Sequence, residues 1–165
     1  MATDKPITRE RILRILNAQA EKTARAIAGL DEATLNLPAR DDGWTAKEIL
    51  AHMAWGHEAM LALAQNRVPG EQISGVFDLD AHNEAQRQRT RDLPLADVLL
   101  LLDQARHRVR AYVEQVDEAD FNQMIHTPWM GDHPQGQFLI YPALHEGGHR
   151  AQLETWRATL EEAAQ

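Results

Sequence analysis

The chain contains no cysteine. Disulfides, thiolate metal ligands, iron–sulfur clusters and a cysteine nucleophile are thereby excluded, and any thiol chemistry has to arrive with a cosubstrate. Basic residues are in deficit too: 17 Lys and Arg stand against 25 Asp and Glu, a formal charge of −8. Nucleic-acid binding needs a basic stripe to neutralise phosphates, so no nucleic-acid partner is expected. The opening MATDKPITRERIL has no long apolar run, which predicts neither signal peptide nor membrane anchor and a cytoplasmic protein with no membrane partner. Internal repeats, low-complexity tracts and dividing linkers are absent. The 165 residues are read as one domain, 1–165, large enough to bury a core unaided. No segment reads convincingly as a β-strand.

What is present is helical spacing. Ile12, Ile15, Leu16, Gln19, Ala20, Thr23 and Ile27 follow the i, i+3, i+4 pattern and predict a helix from about Thr8 to Ala28. LDEATLNLPARDDG then reads as a loop punctuated by Pro38 and Gly43. A second helix is announced by a full start signal. Thr45 is placed to cap it, Glu48 to close a capping box, and Trp44 and Ile49 to form a hydrophobic staple. This helix is expected to run to about Asn66. FDLDAHNEAQRQR is a short helix or irregular connection, and after Pro94 the stripe Val98, Leu101, Leu102, Ala105, Val109, Tyr112, Val113, Val116 makes a third long helix. HTPWMGDHPQGQ reads as a loop. The last helix is expected from about Phe138 to Glu162, with Pro142 in its first turn or at a kink. The expected fold is all-α, a four-helix bundle with long connections, whose usual cofactor position lies between facing helices.

In the last helix Phe138, Tyr141, His145, Gly148, His149, Gln152 and Trp156 share one stripe. Glu146, Arg150, Glu154, Arg157 and Glu161 are read as a second, solvated ladder spaced for ion pairs. The motif His145-Glu146-x-x-His149 spells the HExxH of zinc peptidases, but that chemistry needs its Glu aimed at a metal-bound water. A Glu on the solvated face does not provide it, and only 16 residues, none of them His, follow His149. His52, on the stripe Ile49, His52, Met53, Gly56, Met60, Leu63, faces the same interior from the second helix. An unpartnered imidazole there would cost about 1–3 kcal/mol, and a metal shared by His52, His145 and His149 would satisfy all three rings. His57 lies about 140° around the helix from His52 and cannot face the same ion. His107 is read as surface, and His82, His126 and His133 carry no spacing argument. The two glycines of HEGGH imply either close approach of a neighbouring helix with space beside the metal, or a plain packing contact.

The motifs WTAKEILAHMAWGHE and HEGGHRAQL carry a resemblance to the DinB-like proteins of the DinB/YfiT superfamily of bacterial four-helix bundles. The first matches W-[ST]-x-x-[DE]-x-x-x-H. The second matches H-x-x-x-H-[RL]-x-Q, with Ala151 where a Gly is frequent. The resemblance covers essentially the whole chain and implies a metal-binding triad at His52, His145 and His149. It also aligns Asn83 with an Asn frequent in the connector before the third long helix. Relatives implied by the resemblance include metal-dependent thiol transferases and isomerases using bacillithiol, mycothiol or glutathione. Dimers are common among them, so a homodimer is expected, and the family name refers to damage-inducible expression, a stress response.

The reading is therefore a metal-dependent thiol S-transferase acting on a small-molecule thiol and an electrophile. A site with three His ligands leaves coordination positions open for a thiol that would ionise at neutral pH. Tyr141, Gln152, Trp129, Trp156 and Asn83 are candidates to line the pocket. Zn or Ni is the expected ion, with Fe, Mn and Co also compatible with a His₃ site. Metal-dependent hydrolysis is the alternative within enzymes. A non-catalytic metal-binding or dimerisation module is the alternative outside them.

Overall fold

The computed structural model describes residues 7–65, 78–127 and 131–163. Helix α1, Arg9–Ile27, starts where the Thr8 side chain accepts from the Arg11 amide. The segment expected as loop contains one helical turn, α2, Glu32–Leu35, because Asp31 caps it at the Thr34 amide and Leu35 buries its side chain beneath it. Helix α3, Ala46–Ala64, has the expected capping box: Thr45 Oγ1 accepts from the Glu48 amide at 3.2 Å, and Glu48 Oε2 accepts from the Thr45 amide at 2.8 Å. Two of the helix's orphan N–H groups are satisfied this way. Helix α4, Leu79–Thr90, settles the connector as helical, with Asp78 as its cap. Its Arg87 pairs with Glu48 of α3 at 3.0 Å. Helix α5, Leu95–Gln115, follows Pro94.

A 3₁₀ turn, Glu118–Asn122, leads to a feature the sequence reading missed. Strands β1, Met124–Thr127, and β2, Gly131–Pro134, pair antiparallel with Met124 opposite Pro134 and Thr127 opposite Gly131. At four residues each, Met124–Thr127 (MIHT) and Gly131–Pro134 (GDHP) are too short to show a clear apolar–polar alternation in sequence, which is why periodicity did not reveal them. Helix α6, Gln135–Ala163, begins directly after β2 and runs unbroken through Pro142, in its third turn. Proline there leaves the Phe138 carbonyl without its usual N–H partner.

The four long helices close in the order α1–α6–α3–α5, so α1 lies diagonally across from α3. Among the described residues, none of the helices is long and apolar enough to cross a membrane.

Two apolar clusters fill the interior. One holds Ile12, Leu16, Leu61, Val109, Val113, Phe121, Phe138 and Leu139; the other holds Ile49, Leu50, Met53, Val98, Leu102, Leu153 and Trp156. Each fully buried side chain of this size contributes about 1.5–3 kcal/mol. On every long helix a polar residue falls between the two clusters: Thr23, His57, Arg106 and Glu146. The bundle thus has a polar layer at mid-height, and the histidines of interest sit beside it.

Candidate metal centre

His52 on α3 and His145 and His149 on α6 meet between the two helices. His145 Nε2 lies 3.1 Å from His52 Nε2 and 3.2 Å from His149 Nε2, and one nitrogen from each ring falls within 4.8 Å of the others. Helices α3 and α6 approach this closely because α3 has no side chain at the contact. A Cβ on Gly56 would collide with Nδ1 and Cε1 of His145. Trp55 stacks on the His52 ring at 5.6 Å and 25°, and Trp44 meets it edge-on at 5.6 Å.

The donor geometry suits a divalent ion better than a hydrogen-bonded cluster. A ring nitrogen has either one N–H or one in-plane lone pair. His145 Nε2 therefore cannot make good hydrogen bonds to two other ring nitrogens, and one contact would set like atoms together. A tetrahedral ion with metal–nitrogen bonds of about 2.0–2.1 Å would place its ligand nitrogens about 3.3–3.4 Å apart, close to both distances. His149 Nδ1 donates to Gln152 Oε1 at 3.0 Å, which leaves Nε2 with the free lone pair a ligand needs. The Nδ1 atoms of His52 and His145 are buried without partners.

The rings are also held neutral. Burial, reinforced by the neighbouring rings, lowers the pKa of His52 to about 3 and of His145 to about 4, and burial lowers His149 as well. Neutral imidazole is the ligating form, so at pH 7 no proton has to leave.

Glu146 is the main correction to the sequence reading. It is not on a solvated ladder: it is 1 % exposed, and its carboxylate meets Thr23, His57 and Arg106 rather than the three rings. Burial alone would raise its carboxyl pKa, but hydrogen bonds from His57 and Arg106, with Thr23 adding a third, hold it at about 2. The sequence did contain the signal. Leu139 and Leu153, both fully buried, lie seven residues to either side of Glu146, and His57 sits four residues from both Met53 and Leu61. The charges at Arg150 and Glu154, which do pair near the surface at 2.5 Å, drew Glu146 into the wrong row. A carboxylate so engaged is not free to act on a metal-bound water, so the peptidase reading fails, but because Glu146 is buried and bonded rather than solvated.

The other candidates divide. Gln152 holds His149 and lines a cleft of about 840 Å³, with Arg40, Asp42, Gly148, Thr155 and Trp156. Asn83 lines a smaller pocket of about 250 Å³ behind His52, with Trp44 and Trp55, and its Oδ1 is buried without a partner. Tyr141 is not with the three rings. It packs edge-on to Phe138 and His133, and its hydroxyl accepts from Gln137 Nε2 at 2.8 Å. Trp129 lies outside the described residues. The HEGGH glycines are not the site of close helix approach, which belongs to Gly56. A Cβ on Gly148 would meet nothing within 4 Å, and one on Gly147 would make ordinary contact with Gln19.

A family model for the DinB superfamily matches residues 15–153. The chain belongs to the DinB superfamily. A Geobacillus kaustophilus protein provisionally named a metal-dependent hydrolase is 30% identical over 136 residues, 80% of this chain and 74% of that one. One from Geobacillus thermodenitrificans, named likewise, is 31% identical over 101 residues, which span 61% of this chain and 56% of the relative. Among solved structures, YfiT from Bacillus subtilis, a four-helix bundle of unusual topology provisionally described as a metal-dependent hydrolase, superposes with a TM-score of 0.72. It is 16% identical, with 98% of this chain and 92% of that one covered. The mycothiol-dependent maleylpyruvate isomerase superposes equally well, at 0.72 and 16% identity over 91% of this chain but 61% of its own length. The colibactin self-resistance protein ClbS, solved with double-stranded DNA, scores 0.75 at 12% identity over 93% of this chain and 97% of that one. At these identities the structures establish a shared fold. The superfamily and the three-histidine group together point to a metal-dependent protein.

Proposed function

We propose that His52, His145 and His149 hold one divalent transition metal, Zn or Ni, and that the protein transfers a small-molecule thiol to an electrophile. The observation that carries this reading is the convergence of three neutral imidazoles, with a pocket lined by His52 beside them and Glu146 engaged by Thr23, His57 and Arg106 instead. An ion held by three imidazoles supplies Lewis acidity that lowers the pKa of a thiol or water brought to its free positions. The chain's own residues do the rest. Gln152 fixes the tautomer and orientation of His149. Trp44 and Trp55 hold the His52 ring in place. Gly148 leaves the cleft beside α6 open to a substrate, and Asn83 offers an unused acceptor behind His52. Thiol addition needs no enzymic carboxylate base at the metal, which agrees with the engagement of Glu146 elsewhere. The excess of acidic residues argues against a nucleic-acid partner for this chain, although ClbS shares its fold.

Metal-dependent hydrolysis is the second reading, supported by the names of the Geobacillus relatives. The discriminating experiment loads the protein with Zn or Ni and offers glutathione, bacillithiol and mycothiol with a chloronitroarene and with an unsaturated dicarbonyl. Metal-dependent conjugation or isomerisation that requires the thiol and His52 supports transfer. Turnover of nitrophenyl esters or amides without any thiol supports hydrolysis and defeats transfer.

A further inference from the structure

Thr23, His57, Arg106 and Glu146 come one from each long helix and meet at a single carboxylate. Glu146 Oε1 accepts from the Thr23 hydroxyl at 2.5 Å and from Arg106 Nη2; Oε2 accepts from Arg106 Nε at 3.2 Å and contacts His57 Nε2 at 2.8 Å. Thr23, His57 and Glu146 are at most 2 % exposed. Stability alone does not account for this layer. A buried ion pair loses about as much in desolvation as it gains in attraction, and well-packed apolar side chains of similar volume commonly do as well or better. Apolar packing, however, tolerates small slips and rotations that a converging set of directional hydrogen bonds does not.

Where the layer sits gives that restriction a use. Glu146 directly follows His145, and His57 directly follows Gly56. On both helices, then, adjacent residues make the two contacts: the His145 ring against Gly56, and Glu146 with His57. At the far end of the same antiparallel pair, Gln135 Nε2 donates to the Ala64 carbonyl at 2.9 Å. Successive helical residues point about 100° apart, so these two neighbouring contacts fix the rotation of α6 on α3 as well as its axial register. Arg106 and Thr23 secure the same carboxylate from the remaining two helices. His52 lies on α3 and His145 and His149 on α6, so their mutual spacing is set by this register.

We propose that the Glu146-centred layer positions the three histidines, with Glu146 acting as a positioning residue for metal binding. This rests on the reading that the triad holds a metal. The test compares Co(II) titrations of wild-type protein, Glu146→Ala, Glu146→Gln and Val113→Ala. The last is a control that weakens the core away from the layer. Glu146→Ala is expected to raise the Co(II) dissociation constant on the order of tenfold or more and to shift the visible Co(II) bands. Glu146→Gln, which keeps an acceptor for Arg106, recovers part of both. Val113→Ala leaves affinity and spectrum at wild-type values. A Glu146→Ala protein with wild-type affinity and bands overturns the proposal, as does a Val113→Ala protein that shifts equally.

If Glu146→Ala does not fold, Thr23→Val removes one donor more gently. A several-fold weaker site supports the proposal and an unchanged one refutes it. If the wild-type protein takes up no Co(II), the metal reading falls by itself. NMR of the metal-free imidazoles then decides the positioning question: shifts of the His52, His145 and His149 resonances in the layer variant but not in Val113→Ala support it, and unshifted resonances overturn it.

Discussion

Two substitutions identical in chemistry should have opposite consequences, because only one of the glycines involved lets helices α3 and α6 meet. Gly→Ala in a helix interior ordinarily stabilises by about 1 kcal/mol through helix propensity and a less flexible unfolded chain. At Gly148 nothing lies within 4 Å of the added methyl, so Gly148→Ala should gain about 0.5–1 kcal/mol and leave metal affinity unchanged. At Gly56 the methyl enters the His145 ring, which is hemmed in by His52 and His149. Overpacking of this kind costs about 1–3 kcal/mol. After the propensity gain, Gly56→Ala should lose up to about 2 kcal/mol. The two variants should therefore differ by roughly 1–3 kcal/mol, or about 3–10 °C in melting temperature for a domain of this size. Thermal and urea unfolding of the metal-free proteins measures this, and a Zn titration against a chromophoric chelator measures whether His145 has been displaced. Weaker metal binding is expected only in Gly56→Ala. If Gly56→Ala stabilises as much as Gly148→Ala and binds Zn as well, the close approach at His145 is wrong, and with it the geometry of the site.

Metal-free protein should lose stability as pH falls from about 6.5 toward 4. Burial depresses His52 to about 3 and His145 to about 4 when folded, whereas the unfolded rings take up protons near 6.5. The unfolded state therefore binds more protons throughout that window. Glu146, held at about 2, adds stability above about pH 4.5 that is lost as pH falls toward 2. Melting temperatures at pH 7.5, 6 and 5 check the first part; a flat profile, or one no shallower in His52→Ala, contradicts it. Gln152→Ala removes the acceptor for His149 Nδ1 and should weaken Zn binding roughly tenfold in a chelator competition, with helical content unchanged. Thr45→Ala opens the α3 capping box and should cost about 1 kcal/mol in urea unfolding, while Thr45→Ser costs little.

The long helices were legible because each buries one stripe, and the start of α3 was legible to the residue because a capping box is a local pattern of side chain and backbone. The grouping of His52, His145 and His149 was likewise readable: i, i+4 spacing puts two rings on one face, and a mid-helix His on a second apolar stripe has to face inward. Periodicity does not say which charged residues are buried. Glu146 was misassigned because its partners His57, Arg106 and Thr23 lie on three other helices, and only the closed bundle brings them to one point. Tyr141 shares a stripe with His145 but sits a full turn away, where it joins Phe138. The hairpin Met124–Thr127 with Gly131–Pro134 escaped because strands of only four residues are too short for alternation to register in the sequence.

The most direct test of the account is the transition-metal content of the purified protein, measured per chain beside His52→Ala prepared and reloaded with Zn or Ni in the same way. About one ion per chain in the wild type and little or none in the variant is the predicted result. Equal metal in both, or none in either after reloading, would contradict a site shared between α3 and α6.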